Sequence, residues 1–148
     1  MRKFRRFNYF LGCSLLLGAT VAQAQTTVTF SWQGRQRDYT VYTPTGYTPG
    51  GPRVPVVMSL HPGFSNAASH AQAARWQAKG NTENFISVYP NGTSQVGSTT
   101  SFSWNAYAPS TGTNVDDVGF LNAVLSQVIR QYTVDTTRLP VAVCTCTR

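Results

Sequence analysis

Polar and apolar positions alternate in two short stretches shortly after residue 25. The stretches cover residues 28–32 and 39–42, and the turn-forming pair Gln33 and Gly34 lies between them. A period of two is typical of a strand with one buried face, and two such strands around a short turn form an antiparallel hairpin. The next segment, TGYTPGGP, is rich in Gly and Pro and predicts a loop.

Three later stretches are continuously apolar instead of alternating. They read VPVVMSL, FISVYP and TRLPVAV. Short apolar runs of this kind are typical of strands buried on both faces inside a parallel sheet. We therefore expect three inner strands, at residues 54–60, 85–90 and 137–143.

Two segments between these runs have helical character. The alanine-rich segment at residues 66–80 predicts a helix that begins near Asn66 or Ser69 and stops at Gly80. The segment at residues 116–132 predicts a second helix, because its apolar residues recur at helical spacing. Asp116 or Asp117 is expected to cap its start. The predicted apolar stripe consists of Val118, Leu121, Leu125 and Val128, widened by Phe120, Val124 and Ile129.

The order of these elements predicts an α/β fold. A hairpin followed by strand, helix, strand, helix and strand gives a mainly parallel sheet with helices packed on it, the first half of a doubly wound architecture. Residues 91–114 are rich in Ser, Thr and Gly, with Trp104 and Tyr107 among them, and predict a long surface loop.

The first 24 residues predict a secretory signal peptide. Four basic residues precede a short apolar run, and Ala22 and Ala24 complete an A-x-A cleavage pattern before Gln25. The apolar run is shorter than the roughly 20 residues that a transmembrane helix needs. We expect a secreted product, extracellular or periplasmic, without membrane partners.

Charge and cysteine content argue against a nucleic-acid partner and against a metal site. The chain has a net charge of +7, but four of its 12 Lys and Arg residues lie in the predicted signal, which leaves +3. The remaining basic residues form no stripe, so we expect no nucleic-acid partner. Cys144 and Cys146 are too few for a metal site, and His61 and His70 are not spaced to complete one. No metal and no cofactor is predicted.

Several segments in order resemble a known family. GRQRDYTVYTPTGY, VPVVMSLHPG, FISVYPNG, SWNAY and DDVGFLNAVLSQVIRQYTVDTTRL resemble the opening half of the secreted polyhydroxybutyrate depolymerase family, which includes feruloyl and acetylxylan esterases. The resemblance implies a three-layer α/β-hydrolase fold and a carboxylic ester hydrolase. It extends over residues 25–139 and falls away abruptly over residues 140–148.

The resemblance implies a nucleophile turn that the sequence does not contain. In this fold a G-x-S-x-G turn carries the catalytic serine directly after the strand that corresponds to TRLPVAV. Its five positions fall on residues 143–147, where Thr145 replaces the serine and neither glycine is present. Branched side chains such as valine and threonine resist the backbone of this turn. No catalytic residue is therefore assigned, and a cysteine nucleophile is disfavoured because it would need the same turn.

The missing machinery suggests an interrupted coding sequence. The triad acid and histidine follow the serine in this fold, whereas His61 and His70 precede it. We expect residues 140–148 to be out-of-frame sequence in place of a catalytic tail, after which the sheet would lack a flank.

Part of the site that binds the ester carbonyl is expected to remain. The family has a His-Gly pair after the corresponding strand, and the amides that follow it help to form the oxyanion hole. Here Pro62 replaces that glycine and has no N–H to donate, so Gly63 and Phe64 are the candidate donors. His61 is expected to hold the turn in shape or to line the cleft.

Trp104 and Asn105 are further cleft-lining candidates through the SWNAY segment. The alternative is structural: Trp104 covers the sheet and Asn105 ties down its own loop.

Two functional classes follow. The first is a secreted serine esterase acting on polyester or acylated polysaccharide, of which this chain is a catalytically incomplete part. The second is a non-catalytic exported fragment that binds such polymers through Trp104, Tyr107 and their neighbours.

Overall fold

The computed structural model of the protein describes residues 24–94, 98–105 and 115–143. Within them, five strands form one mixed sheet with the spatial order β1-β2-β4-β3-β7. These strands are β1 (Gln25–Trp32), β2 (Arg35–Tyr42), β3 (Val56–Leu60), β4 (Ile86–Pro90) and β7 (Val141–Val143). Strands β5 (Thr93–Ser94) and β6 (Phe102–Ser103) pair separately.

The predicted hairpin is present and longer than the alternating pattern suggested. Strands β1 and β2 pair antiparallel along their whole length, from Gln25 opposite Tyr42 to Trp32 opposite Arg35. The turn residues Gln33 and Gly34 both have positive φ, at 49° and 74°, as tight hairpin turns require.

The three continuous apolar runs form the parallel part of the sheet, as predicted. Strand β3 pairs parallel with both β4 and β7, and β2 joins this part antiparallel through β4. Side chains of β4 alternate between the two faces of the sheet, so both faces carry apolar residues. The α/β class and the mainly parallel arrangement are confirmed.

The alanine-rich segment forms two helices, so the prediction of one helix ending at Gly80 was wrong. Helix α1 (Ala67–Ala74) and helix α2 (Trp76–Glu83) are separated by Arg75, whose φ of 54° breaks the regular backbone. Gly80 lies inside α2, where an added Cβ would lie 2.7 Å from the carbonyl oxygen of Phe85. The glycine therefore permits close packing, and Asn84 ends the helix in the left-handed region.

Helix α3 (Asp117–Gln131) confirms the second predicted helix and its apolar stripe, with the exception of Val118. Its fully buried apolar side chains are Phe120, Val124 and Val128, whereas Val118 is 72% exposed. Each residue advances about 100° around a helix, so Val118 points roughly 200° away from Phe120. The prediction that Val118 belongs to the core stripe was wrong.

The core is divided between the two faces of the sheet. One cluster packs α3 against β2, β3 and β4, and contains Tyr39, Val41, Val56, Met58, Ile86, Val88, Phe120 and Val124 among others. The other face packs α1 against β4 through Ala67, Ala71 and Tyr89. Helices thus cover both faces, in three layers.

Residues 91–114 are more ordered than a plain loop where the structure describes them, because β5 and β6 pair within this segment. The predicted signal peptide, apart from Ala24, lies outside the described residues, as do Tyr107 and positions 144–147 of the expected nucleophile turn. No helix in the described ranges is long and apolar enough to cross a bilayer.

Candidate functional site at the carboxyl end of strand β3

The turn after β3 is built around His61, which is 1% exposed. The amide of Gly92 donates to its Nε2 at 2.9 Å, and its Nδ1 lies 2.7 Å from the carbonyl oxygen of Pro62. An accepting Nε2 requires the proton to be on Nδ1, which then donates to Pro62. His61 therefore binds loop backbone with both ring nitrogens.

The electrostatic setting favours the neutral form of His61. Burial lowers the pKa of His61 below its ordinary value, and the bond to the Pro62 carbonyl opposes this only in part. A protonated Nε2 would lose the bond from Gly92, because an imidazolium has no acceptor nitrogen. The neutral ring thus fixes the start of the β4–β5 connection against the end of β3.

The segment that contains β6 covers this turn. Trp104 Nε1 donates to the His61 carbonyl at 2.9 Å, and the centroids of the two rings are 5.0 Å apart. The amide of Phe102 donates to the Ser65 carbonyl at 2.8 Å. Trp104 also packs against the core cluster, so its ring both covers the sheet and contacts the candidate site.

The two candidate oxyanion donors are in different situations. Phe64 has a φ of 62° and a side chain that is 73% exposed. A left-handed backbone costs a residue with a Cβ about 1–2 kcal/mol. The amide of Phe64 is directed at Ser103 Oγ, at a long 3.4 Å, while Gly63 is exposed on the turn. The Phe64 amide is therefore only weakly engaged.

Asn105 ties its own segment to helix α3. Its side-chain Nδ2 donates to the Val115 carbonyl at 2.9 Å, and its backbone N–H donates to Asp117 Oδ2 at 2.7 Å. The side chain thus connects residue 105 to residue 115; residues 106–114 lie outside the described part of the chain. Both contacts fix the position of the neighbouring Trp104.

Asp116 and Asp117 have separate roles. Asp116 Oδ1 accepts from the amide of Gly119 at 2.7 Å and caps α3. Asp117 is buried and forms an ion pair of 2.8 Å with Arg37. The prediction that Asp116 or Asp117 caps the helix is therefore confirmed through Asp116, whereas the Asp117 carboxylate faces β2.

Arg37 connects the two loops that border the turn. Its Nη2 donates to Asp117 and also to the Asn91 carbonyl, at 3.1 Å, and its guanidinium lies 3.8 Å above the Phe120 ring. Burial lowers the pKa of Arg37 and Asp117 opposes that shift; arginine stays charged regardless. The sequence held one signal for it, since Arg37 shares its strand face with buried Tyr39 and Val41.

Asn91 begins an N-G-T glycosylation sequon, but its side chain connects two parts of the fold. Its Oδ1 accepts from the amide of Ala67 at 2.7 Å, and its Nδ2 donates to Asp38 at 2.7 Å. A glycan on Nδ2 would compete with the hydrogen bond to Asp38, so the structure favours a structural role for Asn91 over glycosylation.

A serine–histidine pair lies nearby but is unsuited to attack an ester. Ser59 Oγ and His70 Nε2 are 2.9 Å apart, and both residues are buried. Burial lowers the pKa of His70. Because Ser59 lies in the interior strand β3, its hydroxyl is closed to a substrate, and the pair ties α1 to the sheet.

Within the described residues, no group of three or more His, Cys, Asp or Glu side chains could hold a metal ion. The site that the structure assembles has three parts. They are the partly exposed turn at residues 61–65 with its left-handed Phe64, the segment whose Trp104 contacts this turn, and the buried ion pair of Arg37 and Asp117. Such a turn can present backbone amides to a carbonyl oxygen.

Comparison with solved structures identifies the architecture. An S-formylglutathione hydrolase from Agrobacterium tumefaciens aligns with a TM-score of 0.64 at 10% identity, over 86% of this chain and 51% of its own. A ferulic acid esterase aligns with a TM-score of 0.64 at 18% identity, over 85% and 50%. The chain has the α/β-hydrolase fold.

A third α/β-hydrolase adds to this likeness. The CE1 ferulic acid esterase from Anaeromyces mucronatus, solved with ferulic acid, aligns with a TM-score of 0.61 at 16% identity, over 83% of this chain and 49% of that one. The chain therefore spans about half the length of these α/β-hydrolases. Its sequence matches no protein-family model and no curated protein.

Proposed function

We propose that the chain is the N-terminal half of a secreted carboxylic ester hydrolase domain and provides the side of the active site that binds the ester carbonyl. The observation that carries this proposal is the turn after β3. There the weakly engaged Phe64 amide and the adjacent Gly63 lie at the carboxyl edge of the parallel strands, the edge where open α/β sheets bind ligands.

In the proposed reaction, this turn stabilises the transition state. A nucleophile attacks the ester carbonyl, and the negative charge that develops on the oxygen is met by the amides of Gly63 and Phe64. Loss of one such donor costs about 100- to 1000-fold in kcat in serine hydrolases. Pro62 cannot contribute a donor, because its nitrogen carries no hydrogen.

The contacts beneath the turn have a positioning role in this proposal. Neutral His61 links the turn to Gly92, Trp104 links it to β6, and the Arg37–Asp117 pair fixes both flanking segments. Preorganised donors are effective because they need no reorganisation when charge develops.

The nucleophile, the acid and the base would come from outside the described residues. The sequence at 143–147 has no G-x-S-x-G, so we propose that this chain alone does not hydrolyse esters and that residues 140–148 replace an in-frame continuation. The acyl substrate that we propose is a polyester of the polyhydroxybutyrate type. The likeness to two ferulic acid esterases favours feruloyl polysaccharide as the second candidate.

Completion of the domain tests the proposal. The coding sequence downstream of codon 139 is read in all three frames for G-x-S-x-G, and the joined product is assayed with p-nitrophenyl butyrate, polyhydroxybutyrate granules and feruloylated xylan. Turnover that disappears when the new serine is replaced by alanine supports the proposal. Absence of the motif in every frame, or no turnover by a folded joined product, contradicts it.

Binding without cleavage is the non-catalytic alternative. Pull-down of the chain on polyhydroxybutyrate granules distinguishes it: retention together with an inactive joined product would favour an adhesive role.

A further inference from the structure

Phe64 combines two unfavourable features that the fold itself does not explain. Its backbone is left-handed, with a φ of 62°. Its side chain is 73% exposed, more than any other large apolar side chain in the described residues. A strained residue persists only where its surroundings hold it, and such residues cluster at binding sites.

The surroundings hold the turn through Ser65, which follows Phe64, and through His61 at the start of the turn. Ser65 accepts from the Phe102 amide at 2.8 Å, and His61 accepts from Trp104 Nε1 through its carbonyl at 2.9 Å. The Phe64 amide itself is directed at Ser103 Oγ. The β6 segment thus fixes the turn on both sides of Phe64 and leaves the ring outside the core.

The turn that carries the ring and the segment that contacts this turn have no charged side chains. Residues 61–65 and 102–104 contain no Asp, Glu, Lys or Arg. The ion pair of Arg37 with Asp117 is buried, so its charges are paired inside the protein. An exposed aromatic ring on such a rim favours contact with an uncharged apolar group.

We propose that the Phe64 ring binds the apolar acyl group of the ester and determines acyl specificity. This inference rests on the proposed function, which places the ester carbonyl at the amides of the same turn. The backbone of Phe64 then meets the carbonyl oxygen while its side chain meets the acyl chain. A hydroxybutyryl chain and a feruloyl ring share the required chemistry, and the test distinguishes them.

Ligand binding to the intact 148-residue chain provides the test. Titrations with methyl ferulate, with the methyl ester of a 3-hydroxybutyrate trimer and with glycerol triacetate are followed by the NMR shifts of the turn's backbone amides, those of His61, Gly63, Phe64 and Ser65. We expect Phe64→Gly to weaken the binding of one of the two larger esters by about tenfold, because one aromatic contact is lost. Triacetate, whose acetyl group is too small to cover the ring, should bind equally to both proteins.

Two further variants make the result specific. Phe64→Leu keeps an apolar side chain and should retain more affinity for the aliphatic ester than for the aryl ester. Val118→Ala is the matched control, since Val118 is equally exposed but lies on α3; its affinities should equal those of the unmodified chain. Phe64→Gly also relieves the left-handed strain, so a folding defect is not expected to obscure its result.

The inference is overturned if Phe64→Gly binds both larger esters within twofold of the unmodified chain, or if neither ester shifts the amides of the turn. A ring that only packs against another part of the fold would give the first of these results. Failure of the proposed function is a separate outcome, because it is read from turnover by the joined product and not from these titrations.

Discussion

Strands β3 and β7 lie side by side and parallel, yet the residues that follow them differ in kind. After β3 come Pro62 and Gly63, and the structure places a tight turn there with Phe64 in the left-handed region. After β7 the sequence continues with Cys144, Thr145, Cys146 and Thr147, and contains no glycine. One strand is followed by the turn that we propose binds the ester carbonyl, and the other is followed by a sequence without G-x-S-x-G.

In the proposed function, the two halves of an ester-hydrolysing site depend on separate sequence features. A carbonyl-binding turn needs backbone amides and a rigid support, and we propose that Arg37, His61 and Asp117 provide this support. A nucleophile turn needs small residues on either side of the serine. The first set is present without the second.

Removal of the buried carboxylate should have the largest effect on the β3 side. Asp117→Ala leaves Arg37 buried without its ion-pair partner and should lower the free energy of unfolding by about 3–5 kcal/mol. Urea denaturation measures this loss. Glu83→Gln disrupts only the exposed contact with Lys79 and should change stability by less than about 0.5 kcal/mol. A loss below about 1 kcal/mol for Asp117→Ala would show that the pair does not support the turn.

Gly92 tests the close approach between the β4–β5 connection and the turn. A Cβ at this position would lie 2.5 Å from the Ser103 carbonyl oxygen and 3.3 Å from His61 Nε2. Gly92→Ala should therefore destabilise the chain by about 1–3 kcal/mol through overpacking. Gly46→Ala is the matched control, since nothing lies within 4 Å of its added Cβ. Equal denaturation midpoints for the two variants would contradict the packing described here.

Acidification should loosen the same turn. Burial lowers the pKa values of His61 and His70 in the folded state, so both rings bind protons more readily when unfolded. Their contribution to stability is complete above the ordinary histidine pKa of about 6.5 and declines as pH falls through the folded values. Urea midpoints should be lower at pH 5 than at pH 8, by an amount below the effect of Asp117→Ala.

The double variant His61→Gln/His70→Gln serves as the control for this pH effect. Its midpoint should be lower throughout but nearly independent of pH across the same interval. Asp135, whose pKa is lowered to about 2, titrates below this interval and does not interfere. A slope as steep as that of the unmodified chain would assign the pH effect to other groups.

Phe64→Gly should have the smallest effect on stability. Glycine adopts the left-handed region without the penalty of a Cβ, but it also gains freedom in the unfolded chain. We expect a thermal midpoint equal to or slightly above that of the unmodified chain, measured by circular dichroism. Phe64→Ala, which removes the ring and keeps the Cβ, is the matched comparison and should be the less stable of the two.

The fold could be predicted from the sequence wherever local pattern and tertiary packing agree. The β1–β2 hairpin and helix α3 follow from the period of their apolar residues, and the three buried strands follow from their continuous apolar runs. The break at Arg75 could not be predicted, because alanine-rich sequence favours a continuous helix. The helix end was misplaced because Gly80 was taken as a stop, whereas it lies inside α2. Val118 was misplaced because apolar character was equated with burial at the start of the helix.

Only part of the candidate site could be predicted from the sequence. His61, Gly63 and Phe64 were proposed from the family resemblance at the end of a buried strand, and their role stays a prediction. Arg37 and Asp117 were missed as partners, since their contact joins residues 80 positions apart. The alternation of β2 did hold a clue, because Arg37 shares a face with Tyr39 and Val41.

The most direct test of the central claim is an ester assay on the purified 148-residue chain. The account predicts that p-nitrophenyl butyrate is hydrolysed no faster than in buffer, because a carbonyl-binding turn without a nucleophile does not cleave esters. Turnover by the chain that is abolished by Thr145→Ala or Cys144→Ala would contradict it.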